Sequence, residues 1–261
     1  MCSLASLFCA TANAAEPQPI KVELSYTAII DGITAATIDA NAEVIGDKYV
    51  MVATTRTRGV MDMLVGFRSA AGSTAVIESG KPVPLAHDAD NKWRGKSRHV
   101  HLRYDKGEIS SADVAPTAEE DDRDPISSEL QESTVDPISA ALSLMIAAQS
   151  RKGCADLVPV FDGRRRYEFA CTSGKDDVAA SASDVDVFRR AYLFTIVAGR
   201  QKHPFWPQSK TPKAISLWFA RIDPRLPPIV TKIAARAGLI GFSVRLEKLR
   251  IDGQETAIPS D

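Results

Sequence analysis

The sequence predicts a mainly β protein: a single curved antiparallel sheet or half-open β-barrel, with one or two short helices packed on its concave side. Three observations carry this. Apolar and polar residues alternate along six stretches of the first half of the chain. Short turn signals such as Gly46-Asp47, Ser79-Gly80 and Asp105 to Gly107 separate those stretches, and consecutive strands joined by short turns pair antiparallel. Only one longer segment, opening at Asp136-Pro137, carries the signature of a helix start.

Taken from the beginning, residues 1–15 are uncharged, with an apolar run over 4–10 followed by Ala12-Asn13-Ala14, the back half of a secretory signal peptide. The usual basic start is missing, so either the true translation start lies upstream or the signal is a weak one. Phe8 before Cys9 is too bulky for a lipoprotein cleavage site. Processing after Ala14 would leave a single periplasmic domain over 15–261 in which Cys154 and Cys171 are the remaining cysteines. After a polar, extended Glu16-Pro17-Gln18-Pro19, a half-buried strand is expected over 21–28, with Val22, Leu24, Tyr26 and Ala28 on one face. Further strands are expected over 34–44, 49–57, 74–78, 94–104 and 109–114. Between the third and fourth of these six stretches, GVMDMLVGF at 59–67 breaks the alternation while staying apolar. It suggests a short helix or a plug at the sheet rim, in which Met61, Leu64, Val65 and Phe67 would cap one mouth.

The segment over about 116–133 holds seven carboxylates against Arg123 alone and is expected to be a mobile, solvated loop without the spacing of a calcium-binding hand. Asp136 as N-cap and Pro137 at the first helical position then open a helix to about Gln149. Its Ile138, Leu142, Met145 and Ile146 suit the inside of a sheet better than water. A hairpin, a strand over 185–198, another over 214–220 and a last hairpin, 229–235 with 240–251 about Gly238, complete the chain.

The first of those hairpins bears a chemical expectation. Asp162-Gly163 between β-rich runs is a two-residue hairpin signal, and a turn centred there puts Cys154 opposite Cys171 at a non-hydrogen-bonded pair, where Cα atoms lie about 4.5 Å apart. A disulfide is therefore expected, since exported proteins keep them. Pro159 has no N–H to give and implies an edge strand or a bulge.

Other chemistry is sparse. His99 and His101 lie two apart on one strand, so their rings point the same way, as a metal site could use, and His87 with Asp88 could add to them. No third ligand is fixed by spacing, so no metal is assigned. Arg164, Arg165 and Arg166 could contact an anion such as a lipid phosphate, although alternation keeps them from all facing one ligand. Asp184-Val185-Asp186 has the form of a metal-binding triplet without a nucleotide-binding context. Phosphate loop, zinc-protease, serine-elbow and dinucleotide motifs are absent, as is a CxxC pair, so neither a cofactor nor a catalytic residue is assigned. With 32 Lys plus Arg against 33 Asp plus Glu, a net charge of −1, no basic field exists to hold nucleic acid. No apolar run reaches the roughly 18 residues of a transmembrane helix.

VPVFDGRRRYEF at 158–169, the rim segment ending MLVGFRS, DPISAAL at 136–142 and LWFARIDPRLPPIV at 217–230 together resemble the bacterial family called domain of unknown function 3108. The resemblance spans about residues 22–246. It implies an exported, β-rich envelope protein without an assigned activity, similar in shape to the half-open β-barrels of periplasmic lipoprotein carriers. The leading expectation is thus a periplasmic protein binding a lipid or other apolar ligand in a concave cavity. The alternatives are an assembly factor that binds another envelope protein, and an unrecognised envelope hydrolase.

Overall fold

The computed structural model describes residues 18–149, 157–172, 177–178, 186–202 and 213–259. The signal segment, Cys154 and the Asp184-Val185 part of the acidic triplet lie outside them.

The alternation of the N-terminal half becomes a meander. Strands β1 (Ile20–Ile30), β2 (Ile33–Ile45) and β3 (Lys48–Thr57) lead through a six-residue helix α1 (Gly59–Leu64) into β4 (Arg68–Glu78), β5 (Lys81–Trp93), β6 (Lys96–Asp105) and β7 (Glu108–Ala115). After a four-residue α2 (Ser128–Gln131) and the expected helix α3 (Pro137–Ala147) come β8 (Val158–Phe161), β9 (Arg166–Cys171) and a short β10 (Asp177–Val178). The chain finishes with β11 (Val187–Ala198), β12 (Ala214–Ala220), β13 (Ile229–Ala237), β14 (Ile240–Ile251) and β15 (Gln254–Glu255). The fifteen strands among the described residues join one antiparallel sheet, ordered β7-β6-β5-β4-β3-β2-β1-β14-β13-β12-β11-β9-β8, with β10 and β15 attached to β11 and β14.

The sheet curves around α3. Val22, Leu24, Tyr49, Leu246 and Leu249 from the middle strands meet Leu142 of the helix, while Ala140 and Leu144 on its other side meet Val160, Phe188, Tyr192 and Phe219. Helix α3 starts where the sequence says, because the buried Asp136 carboxylate accepts from the Ile138 and Ser139 amides at 2.9 and 3.0 Å.

Three expectations need correction. The expected strands omit β5, because Pro82, Pro84 and a polar run mask its period. Both prolines sit in the part of β5 that pairs with β4 only, so the ladder to β6 loses no donor. Secondly, the β8–β9 hairpin pairs Phe161 with Arg166 rather than Arg164. Asp162 accepts from the Arg164 and Arg165 amides at 2.9 and 2.6 Å and holds a wider loop. Continuing that register would set Cys171 opposite position 156, so the direct cross-strand argument for Cys154 falls. The edge reading of Pro159 holds: β8 ends the sheet, covered by Val135, whose amide donates to the Pro159 carbonyl at 3.0 Å.

Thirdly, the acidic stretch is not wholly solvated. Asp121 is only 5% exposed, because Arg98, Arg123 and Arg164 converge on its carboxylate, with Arg123 Nε at 2.7 Å. Arg164, Arg165 and Arg166, the candidate anion contacts, each have partners within the protein. Arg164 donates to the Ala115 and Pro116 carbonyls, Arg165 pairs with Asp162 at 2.7 Å, and Arg166 with Glu168 at 2.9 Å. Only Arg164 draws on partners distant in sequence, Ala115, Pro116 and Asp121, which fold onto the hairpin; Arg165 and Arg166 pair with carboxylates two or three residues away.

Those contacts close the gap between the two sheet ends. Residues 116–135 run from β7 across to β8, with Arg123 donating to the Gly199 carbonyl at 2.7 Å and Lys202 N–H to the Asp122 carbonyl at 2.9 Å. The packing there is close: a Cβ at Gly163 would collide with the Val100 side chain, and one at Gly199 with the Arg164 carbonyl.

Candidate functional site

Inside the curve lies an apolar cavity of about 360 Å³. Alternation builds it: Leu24 and Tyr26 of β1, Ile38 and Ala40 of β2, and Tyr49, Met51 and Ala53 of β3 point inward from one wall. Tyr167 and Phe169 of β9, Tyr192 of β11, Ile215 and Leu217 of β12, Val230 and Ile233 of β13 and Val244 of β14 form the other, and α3 supplies Ala141 and Met145. None of the lining side chains carries a formal charge. The tyrosines stay neutral: burial pushes the Tyr49 and Tyr192 phenols up to about 12, and burial raises Tyr26 and Tyr167 as well. Tyr26 donates its hydroxyl to the Val230 carbonyl at 2.9 Å, which ties the two walls while presenting its ring.

A buried polar cluster stands behind the helix start. Ser73 of β4 donates to Asp136 Oδ1 at 2.6 Å and lies 2.8 Å from His87 Nδ1 of β5; His87 Nδ1 is 3.4 Å from the same carboxylate oxygen. Ser139 donates to Asp136 Oδ2 at 2.5 Å. Serine, histidine and aspartate thus meet, but not as a nucleophile and its base. The hydroxyl hydrogen goes to the carboxylate, and Ser73, His87 and Asp136 are 6, 3 and 0% exposed. The cluster fastens α3 to β4 and β5. Burial would raise the Asp136 pKa, yet hydrogen bonds from His87, Ser139 and Ser73 hold it below the ordinary carboxylate value. No spacing signal could reveal this group, whose members come together only through the fold.

The remaining sequence-derived residues fall elsewhere. Met61, Leu64, Val65 and Phe67 sit on and after α1, beside the β5–β6 turn, where the Arg94 amide donates to the Val65 carbonyl at 3.2 Å. None of the four lines the cavity, and Leu64 is 61% exposed. His99 and His101 share the outer face of β6, but His87 cannot join them, since neighbouring residues of a strand point to opposite faces. Cys171 ends β9, paired with Tyr192 of β11. Among the described residues no helix is long and apolar enough to cross a membrane.

A family model described as "Protein of unknown function (DUF3108)" matches residues 21–242. No curated protein matches in sequence. Among solved structures, the chain is similar to a beta-barrel-like protein of domain of unknown function DUF1849 from Brucella abortus, at 15% identity and a TM-score of 0.48, covering 91% of this chain and 99% of that one.

Proposed function

We propose, from the premise that this chain belongs to the DUF3108 family of proteins of unknown function, that it is a periplasmic binding protein holding a lipid or other apolar molecule inside its curved sheet. The observation that supports this is the cavity. Its volume of about 360 Å³ lies in the range of small-molecule sites, and an apolar hole of roughly 150 Å³ already takes up benzene. A wall without charge favours hydrocarbon over any ionic ligand, because nothing there would repay the desolvation of a charge. The periplasmic part rests on the N-terminal sequence pattern.

Native mass spectrometry with lipid extraction, on protein purified from periplasm, tests the reading. An apolar molecule should co-purify, and Ala141→Trp, which fills the hollow from α3, should release it while leaving the fold intact. Protein that arrives empty and takes up no fluorescent fatty acid would refute the reading.

One observation favours a second role, as an assembly factor for another envelope protein. Helix α1 presents Val60, Met63 and Leu64 to solvent at 50, 88 and 61% exposure, an apolar surface separate from the cavity.

A further inference from the structure

The outer face of β5, β6 and β7 carries a group of metal-ligating side chains unrelated to the cavity. Strand pairing sets Asp88, His101 and Asp113 side by side across the three strands, and sets Asp90 beside His99. The two imidazoles stack with centroids 5.0 Å apart, and one ligand atom from each of His99, His101 and Asp113 lies within 4.8 Å of the others.

A second observation concerns orientation. His101 Nδ1 lies 2.7 Å from Asp88 Oδ1, so Nδ1 donates to the carboxylate, and in the neutral ring Nε2 keeps its lone pair. Carboxylates behind metal-bound histidines act in this way. Arg103, two residues on from His101, is itself engaged by Asp88 at 2.8 Å and by the Leu102 carbonyl at 2.9 Å.

We propose that His99, His101 and Asp113 bind a divalent transition-metal ion such as Zn²⁺, with Asp88 as the positioning residue for His101 and water completing the coordination. Two imidazoles and one carboxylate suit zinc, nickel or copper, whereas magnesium and calcium prefer oxygen alone. Zinc bonds of about 2.0–2.2 Å in a tetrahedron put ligand atoms about 3.4 Å apart. The three groups must therefore draw together by somewhat more than 1 Å at the widest. Side-chain rotation supplies that, since His99, His101 and Asp113 are 36, 35 and 74% exposed.

The test is calorimetric titration of the untagged full-length protein with Zn²⁺ after chelator treatment. One saturable site is expected. His99→Ala and His101→Ala should each weaken it tenfold or more, and Asp88→Ala by about 10- to 100-fold. Absence of saturable binding, or wild-type affinity in the double histidine variant, overturns the proposal. A second measurement needs no variant: on adding Zn²⁺ the side-chain nitrogen resonances of two histidines should shift, and those of the buried His87 should not. Zn²⁺ binding that leaves the His99 and His101 resonances unmoved overturns it equally.

Discussion

Replacing Asp136 with alanine should release α3 from the sheet, and the structure sets the size of the effect. The carboxylate accepts from two helix amides at 2.9 and 3.0 Å and from the Ser73 and Ser139 hydroxyls at 2.6 and 2.5 Å. Losing the cap alone costs about 1 kcal/mol, up to about 2. Each buried hydroxyl left without a partner adds about 1–3 kcal/mol, reduced where Ser73 and His87, 2.8 Å apart, still satisfy each other. The sum is about 3–5 kcal/mol, a large share of the roughly 5–15 kcal/mol typical of a domain. Equilibrium urea unfolding reads it as a lowered midpoint at unchanged slope. Asp136→Asn, which keeps one acceptor for the cap, should fall between. The pH dependence has a definite sign: the folded-state pKa of Asp136 lies below its ordinary 3.8. Its contribution is therefore complete above about 4 and disappears as pH falls through the folded-state value. A loss under 1 kcal/mol for the alanine variant would refute the anchoring role.

Asp121→Ala would leave three guanidiniums facing one another across the seam and should cost about 2–4 kcal/mol, measured by thermal unfolding; a change within 0.5 kcal/mol would mean the seam does not depend on it. The double variant Leu64→Asp, Val65→Asp should leave fatty-acid uptake unchanged, because neither residue lines the cavity; altered retention would restore the plug reading of 59–67. With the register argument gone, the disulfide expectation rests on export alone; on that ground peptide mapping without reductant should find Cys154 linked to Cys171, a bond worth about 3 kcal/mol through lost chain entropy. Two free, alkylatable thiols in fresh protein would refute it.

How legible these features were depends on the distance over which each acts. The alternation of Val22, Leu24 and Tyr26 and the Asp136-Pro137 helix start are local, and the structure matches them. Strand β5 was missed because Pro82 and Pro84 are tolerable only where one neighbour is absent, which is a property of the sheet and not of the segment. The hairpin register failed for a different reason: Asp162 caps the amides of Arg164 and Arg165 and widens the turn, so the Asp-Gly signal located the reversal but not its pairing. Asp113 was invisible as a partner of His101, since only the β6–β7 pairing sets them side by side. The cavity drew its wall from eight strands and a helix, beyond any window of sequence.

The central ladder of the sheet, between β1 and β14, joins the first strand to the last long one. Val22 faces Ile251, and the Lys21 amide donates to Asp252 at 2.9 Å. Every other ladder among the long strands on either side of it can form between neighbours along the chain, quickly and in pieces. This one closes a loop of some 229 residues, about 2 kcal/mol costlier in chain entropy than closing one of roughly 15. Loop entropy thus favours a folding order that inverts spatial order, with the two flanking meanders assembling first and the β1–β14 ladder in the middle closing last.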